Sequence, residues 1–191
     1  MNRKAAIKSI LAVVTLGVSS GALYEFLKPA DIMPVNLLPQ KKALIADLAE
    51  LIIPRTDTPG AKDAMVEDYI IKMITENTDP RSQKIFLTGL SSLEHYTFSN
   101  YNKSFISCSL AQKTLVLKHF EDKANYSFAI LNKVNKKVFG LPFFYQLRDL
   151  TVEGYCTSFL GATKGMAYDY IPANFESCIP LKKGQLAWAT K

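Results

Sequence analysis

Two histidines, three cysteines and a few close carboxylates are the residues best suited to chemistry, and their spacing assembles no site. His95 stands beside Glu94, and His119 precedes Glu121 and Asp122. Zinc needs three or four ligands at set spacings, and neither histidine has a second ligand four residues away. Both fit ordinary surface or half-buried helix positions. Cys108, Cys156 and Cys178 form no C-x-x-C pair and no C-x-x-C-H run, so the common redox and haem-attachment motifs are missing. Lys164 lies two turns beyond Cys156 and could lower a thiol pKa, but nothing completes a Cys-His couple. Gly161-Ala162-Thr163-Lys164-Gly165 lacks the G-x-G-x-x-G spacing and a preceding strand, so it is no dinucleotide cradle. The carboxylate pairs Asp57/Asp63 and Glu67/Asp68 suit caps and solvated helix faces. The reading is of a chain with no catalytic, cofactor-binding or metal-ligating residue of its own.

The elements that would position such groups are helical throughout. Gln40–Ile53 carries Leu44, Ile45, Leu48, Leu51 and Ile52 at helical spacing, and Pro54 ends the run by removing a donor. Asp57-Thr58-Pro59-Gly60 follows as a tight turn, read as structural: it holds two helices at a fixed angle. In the next helix Val66, Tyr69, Ile70, Met73 and Ile74 make one stripe, with Lys62, Asp63, Glu67 and Lys72 expected to face away. Asp79-Pro80 opens a third helix through Ile85, Phe86, Leu90 and Leu93. Ser109 with Gln112 matches a capping box before Leu115, Val116 and Phe120. Tyr126–Phe139 and a last long helix after Pro142 complete the set. Sustained period-2 alternation is absent. The fold expected is all-α: a single irregular domain of about six helices with an extended aromatic C-terminal arm.

A chain of 191 residues, 48% apolar and 21% charged, can bury a full core. Its net charge of +6 is dispersed, with no arginine stripe or basic-aromatic run, which argues against nucleic acid. Arg3, Lys4 and Lys8 precede the apolar run Ile10–Val18 and the small residues Ser19-Ser20-Gly21-Ala22, the layout of an export signal. Residues 1–29 are therefore read as an export signal, cleaved or kept as an N-terminal anchor. Any membrane contact would come through that segment alone. Arg3-Lys4 can be laid on the twin-arginine pattern, but an ordinary Sec signal has the same charge layout. Residues 30–39, with Pro34 and Pro39, read as a linker, and 40–191 as the folded domain. In an oxidising compartment the three cysteines could form one disulfide and leave one thiol, or all stay free.

Two C-terminal features raise a question of partners. Gly154, Ser158, Gly161, Ala162 and Gly165 would line one side of a helix with small side chains, for close approach of its own chain or of another. Tyr168-Asp169-Tyr170-Ile171-Pro172 and Phe175 to Pro180 make an aromatic, proline-interrupted arm. Such an arm either wraps its own core or lies on a partner, and Trp188 near the end suits an interface anchor.

Three separated pieces resemble the gluconate 2-dehydrogenase subunit 3 family, spanning roughly Leu44 to Trp188. They are Ile53-Pro54-x-Thr56-Asp57-Thr58-Pro59-Gly60-Ala61, then Glu153-Gly154-Tyr155-x-Thr157-Ser158 with Gly161-Ala162-Thr163, then Phe175-x-x-Cys178-x-Pro180 ending in Gly184-Gln185-x-Ala187-Trp188. The chain departs from the family at Arg3-Lys4 and at Cys156, where an aromatic is more typical.

The resemblance implies a non-catalytic small subunit that binds, stabilises and escorts to the periplasm a dehydrogenase of the glucose–methanol–choline type. That partner would hold FAD, oxidise a sugar or sugar acid and pass electrons onward, often to a cytochrome c. Tyr155, Ser158, Gly161, Tyr168, Tyr170, Phe175, Cys178 and Trp188 are the interface residues this reading selects. Cys178 would form a disulfide to the partner, or else pair with Cys156. The competing readings are a self-sufficient periplasmic enzyme and a membrane-anchored structural protein.

Overall fold

Prolines and polar caps divide the chain much as their chemistry demands. The structure is a computed structural model and describes residues 34–125, 141–170, 178, 180–181 and 183–189. The leader, the helix expected over Tyr126–Phe139 and Phe175 lie outside the described residues. The described residues fall in one unit, Met33–Lys191.

Five α-helices make up the described body: α1 (Lys42–Ile52), α2 (Val66–Glu76), α3 (Pro80–Tyr101), α4 (Leu110–Ala124) and α5 (Phe143–Thr157). Among the described residues there is no strand, and one isolated parallel bridge joins Ala167 to Trp188. The all-α expectation holds. No described helix is long and apolar enough to cross a membrane.

The linker boundary needs correction. Val35–Lys41 is a 3-10 helix that runs directly into α1, and Leu38 within it is wholly buried. Covering a leucine is worth about 1.5–3 kcal/mol, enough to draw this stretch into the body despite Pro39. Lys41 fastens it further, its ammonium donating to both oxygens of Glu94 at 2.8 and 2.9 Å.

Caps act where the sequence placed them. The Asp79 carboxylate accepts from the N–H groups of Arg81 and Ser82, ahead of Pro80 at the first helical position. Ser109 and Gln112 exchange side chain and backbone bonds at 3.0 and 3.3 Å, a full capping box. α2 starts later than its sequence suggests, because Met65 turns into the left-handed region at φ 52° just before it.

α5 is the hub, touching each of the other four helices. Its Phe143, Phe144 and Leu147 are buried, and the Phe143 ring meets Phe86 of α3 at 5.3 Å and Phe120 of α4 at 6.0 Å. On α2 the expected outward face is wrong at one position. Glu67 is buried with Val66, Ile70 and Ile74, and its Oε2 has no hydrogen-bond partner. Residues 67, 70 and 74 share one helical face, and α2 is covered by α1, α5 and the 3-10 helix. A carboxylate on that face has nowhere else to go.

Asp47 on α1 ties three elements together. It takes the ammonium of Lys62, from the turn before α2, on one oxygen and that of Lys113, from α4, on the other. Burial alone would raise its pKa, but the hydrogen bonds and charges of Lys113 and Lys62 outweigh burial and hold the carboxyl below its usual value.

Candidate functional site

The turn between α1 and α2 is built around one carboxylate. Glu50, on the last turn of α1, accepts the Arg55 N–H on Oε1 and the Lys62 N–H on Oε2, each at 2.9 Å. It therefore holds both ends of the turn. Gly60 sits against it: a Cβ there would come within 2.5 Å of Glu50 Oε1 and 2.7 Å of the Arg55 nitrogen. The Gly60 N–H donates to Asp63 at 3.0 Å, and the Ala61 N–H closes the neck on the Ile53 carbonyl at 2.9 Å.

A fourth tie comes from far along the chain. The buried Tyr155 of α5 donates its hydroxyl to the Pro59 carbonyl at 2.7 Å. Burial pushes its phenol above the usual value, which keeps it a donor. α5 then ends at Thr157, and Ser158 starts a new turn by donating to the Tyr155 carbonyl and accepting the Gly161 N–H. Gly161–Gly165 forms a π-helical turn closed on Tyr155: a Cβ at Gly161 would strike its carbonyl, and one at Gly165 its hydroxyl. The glycine run is thus filled by a tyrosine of its own chain and leaves no cradle for a pyrophosphate.

This geometry revises part of the expected interface. Tyr155 and Gly161 are buried, and Ser158 is half-buried and bonded inward, so all three face their own chain. Gly154 likewise is pressed on α2, where a Cβ would lie 2.7 Å from the Tyr69 ring. The small residues also do not share one helix face, because Ser158 at ψ 153° breaks the helix between them.

Outward-facing apolar groups lie elsewhere in the same third of the chain. Phe159 is 80% exposed, Tyr170 82% and Leu181 86%, with Tyr168, Leu186 and Trp188 also exposed. Trp188 is brought back to Tyr168 by the bridge at Ala167, whose N–H donates to Ala187 and whose carbonyl accepts from Ala189, both at 2.8 Å. Phe159 and Leu181 were missed at the level of sequence. A large ring between Ser158 and Gly161 was the available signal for the first, and nothing singled out the second.

Cys156 and Cys178 are exposed and Cys108 is buried, all three as free thiols. His95 is exposed on α3, and His119 lies flat on the Tyr96 ring at 4.1 Å. Among the described residues no three His, Cys, Asp or Glu side chains converge on a metal-sized point.

Beside the turn lies an open cleft of about 410 Å3, lined by Arg55, Thr56, Asp57, Thr58, Pro59, Asp63 and Leu160. The described residues thus form a domain of helices gathered on α5, with a clamped polar turn and exposed rings. The family model described as Gluconate 2-dehydrogenase subunit 3 matches residues 39–173. The chain belongs to that family and so to the accessory subunits of dehydrogenase complexes. Searches of curated proteins and of solved structures found no match.

Proposed function

We propose that this chain is the non-catalytic small subunit of a periplasmic FAD-dependent dehydrogenase, which it binds, stabilises and escorts. The partner is a flavoprotein of the glucose–methanol–choline type that acts on a sugar or sugar acid and passes electrons onward, to a cytochrome c where the complex holds one. Family membership gives the setting. The observation that carries the reading is that the rings of Phe159, Tyr168, Tyr170 and Trp188, all in the C-terminal third, are exposed at the surface. Large aromatics are favoured interface anchors, and a lasting complex buries about 1,200–2,000 Å2 in total. The exposed Cys178 thiol, close in sequence to that surface, is the candidate for a disulfide to the partner, with the leader supplying export for both chains.

Affinity purification of the tagged chain from its own host tests this. A second chain carrying the absorption spectrum of bound flavin should come with it in equal amount, and reduction should split the pair where Cys178 links them. The isolated small chain should turn over no sugar. Recovery of the chain alone, or activity without a flavoprotein, overturns the proposal.

A further inference from the structure

Two loops far apart in sequence line one cleft: the α1–α2 turn through Arg55 to Pro59, and the π turn through Leu160 at its start. The Tyr155 side chain reaches both. Its hydroxyl donates to the Pro59 carbonyl at 2.7 Å, across 96 positions of chain. Its ring is also the surface on which the π turn is wound, since a Cβ at Gly165 would lie 2.9 Å from the ring carbons Cε1 and Cζ. Ser158 fastens the start of the π turn to the same residue, donating to the Tyr155 carbonyl at 2.7 Å and accepting the Gly161 N–H at 2.9 Å. The C-terminal arm departs from this point: Ala167, two residues after Gly165, donates its N–H to the Ala187 carbonyl. Single π turns are rare and recur where a helix serves a function.

We infer that Tyr155 is a latch coupling the α1–α2 turn to the root of the C-terminal arm, so that the two loosen and tighten together. Unwinding of Gly161–Gly165 removes the wall of the phenol ring and lets its hydroxyl leave Pro59. Loss of the Pro59 bond, in turn, frees the ring to move from beneath the π turn. Such coupling is reciprocal: order imposed on the arm's root protects the turn by the same factor as order imposed on the turn protects the root. The opening is local, a release of two loops while the helices stay folded. The latch belongs to this chain alone and stands apart from the partnership proposed above.

Amide hydrogen exchange on the full chain, read residue by residue, tests it. Thr56, Gly60 and Ala61 report on the turn, and Gly161 and Ala162 on the π turn. Tyr155→Phe keeps the ring and removes the hydroxyl. Both groups should then exchange about threefold to tenfold faster, the effect of losing one hydrogen bond, while the Gln112 N–H in the α4 capping box keeps its rate. Ser158→Ala is the independent variant, because Ser158 bonds Tyr155, Gly161 and Ala162 and not the turn. It should speed Ala61 as well as Ala162, and should add nothing at Ala61 once Tyr155→Phe is present. A Ser158→Ala protein that speeds Ala162 and leaves Ala61 at its wild-type rate overturns the latch. So does a Tyr155→Phe protein that speeds one group alone, or that speeds Gln112 equally, which would make Tyr155 a support of the whole fold.

Discussion

At the residue scale two carboxylates of similar chemistry meet opposite circumstances. Glu50 gives each oxygen a backbone N–H and fixes the turn. Glu67 is taken from water with Oε2 unsatisfied, though its place in the first turn of α2 lets the helix dipole offset part of the cost. An unpaired buried polar group costs about 1–3 kcal/mol, so Glu67→Met, similar in length, should raise the unfolding free energy by up to that amount. Denaturant melts of the two proteins check it. A loss of stability would mean that the carboxylate has a role the burial argument ignores. Glu67 was misread in sequence because a charge next to Asp68 on an amphipathic helix looks solvated. It is buried only once α1, α5 and the 3-10 helix pack on α2.

At the element scale, local rules were enough for the helix starts. Asp79-Pro80, the Ser109–Gln112 box and Pro142 open their helices as read. Two failures involve distant partners, Leu38 drawn into the core and Tyr155 reaching the Pro59 carbonyl 96 positions away, whereas Ser158 interrupts the small-residue run through local bonds to Tyr155 and Gly161. Asp47 belongs to this scale because it joins α1, the turn and α4. Its folded pKa lies below the unfolded one, so its contribution is fully present above the usual carboxylate range near 4. That contribution disappears as pH falls through the folded value. Stability measured against pH should therefore drop more steeply below about pH 4 in the wild type than in Asp47→Asn, which has no proton to take up. Parallel curves would remove Asp47 from the account of acid sensitivity.

At the scale of the whole molecule, the described helices bury a core while several large apolar side chains of the C-terminal third stay in water. Rings at Phe159 and Tyr170 and the Leu181 side chain are left in water at a cost of about 25 cal/mol for each Å2 of apolar area. Purified without a partner, the chain should self-associate as its concentration rises. The double change Phe159→Ser with Tyr170→Ser should keep it monomeric without lowering its melting temperature, as sedimentation and thermal scans would show. A wild type that stays monomeric throughout would mean that this surface is content with solvent.

The position of α5 has a consequence for synthesis. The helix on which the other four converge is the last of the five to leave the ribosome. Until Phe143 to Thr157 emerges, the four earlier helices lack the one surface they all share, although several of them already touch one another. Consolidation of the full set should then come late in synthesis, and a product stopped short of residue 143 should be cut by proteases faster than the full chain.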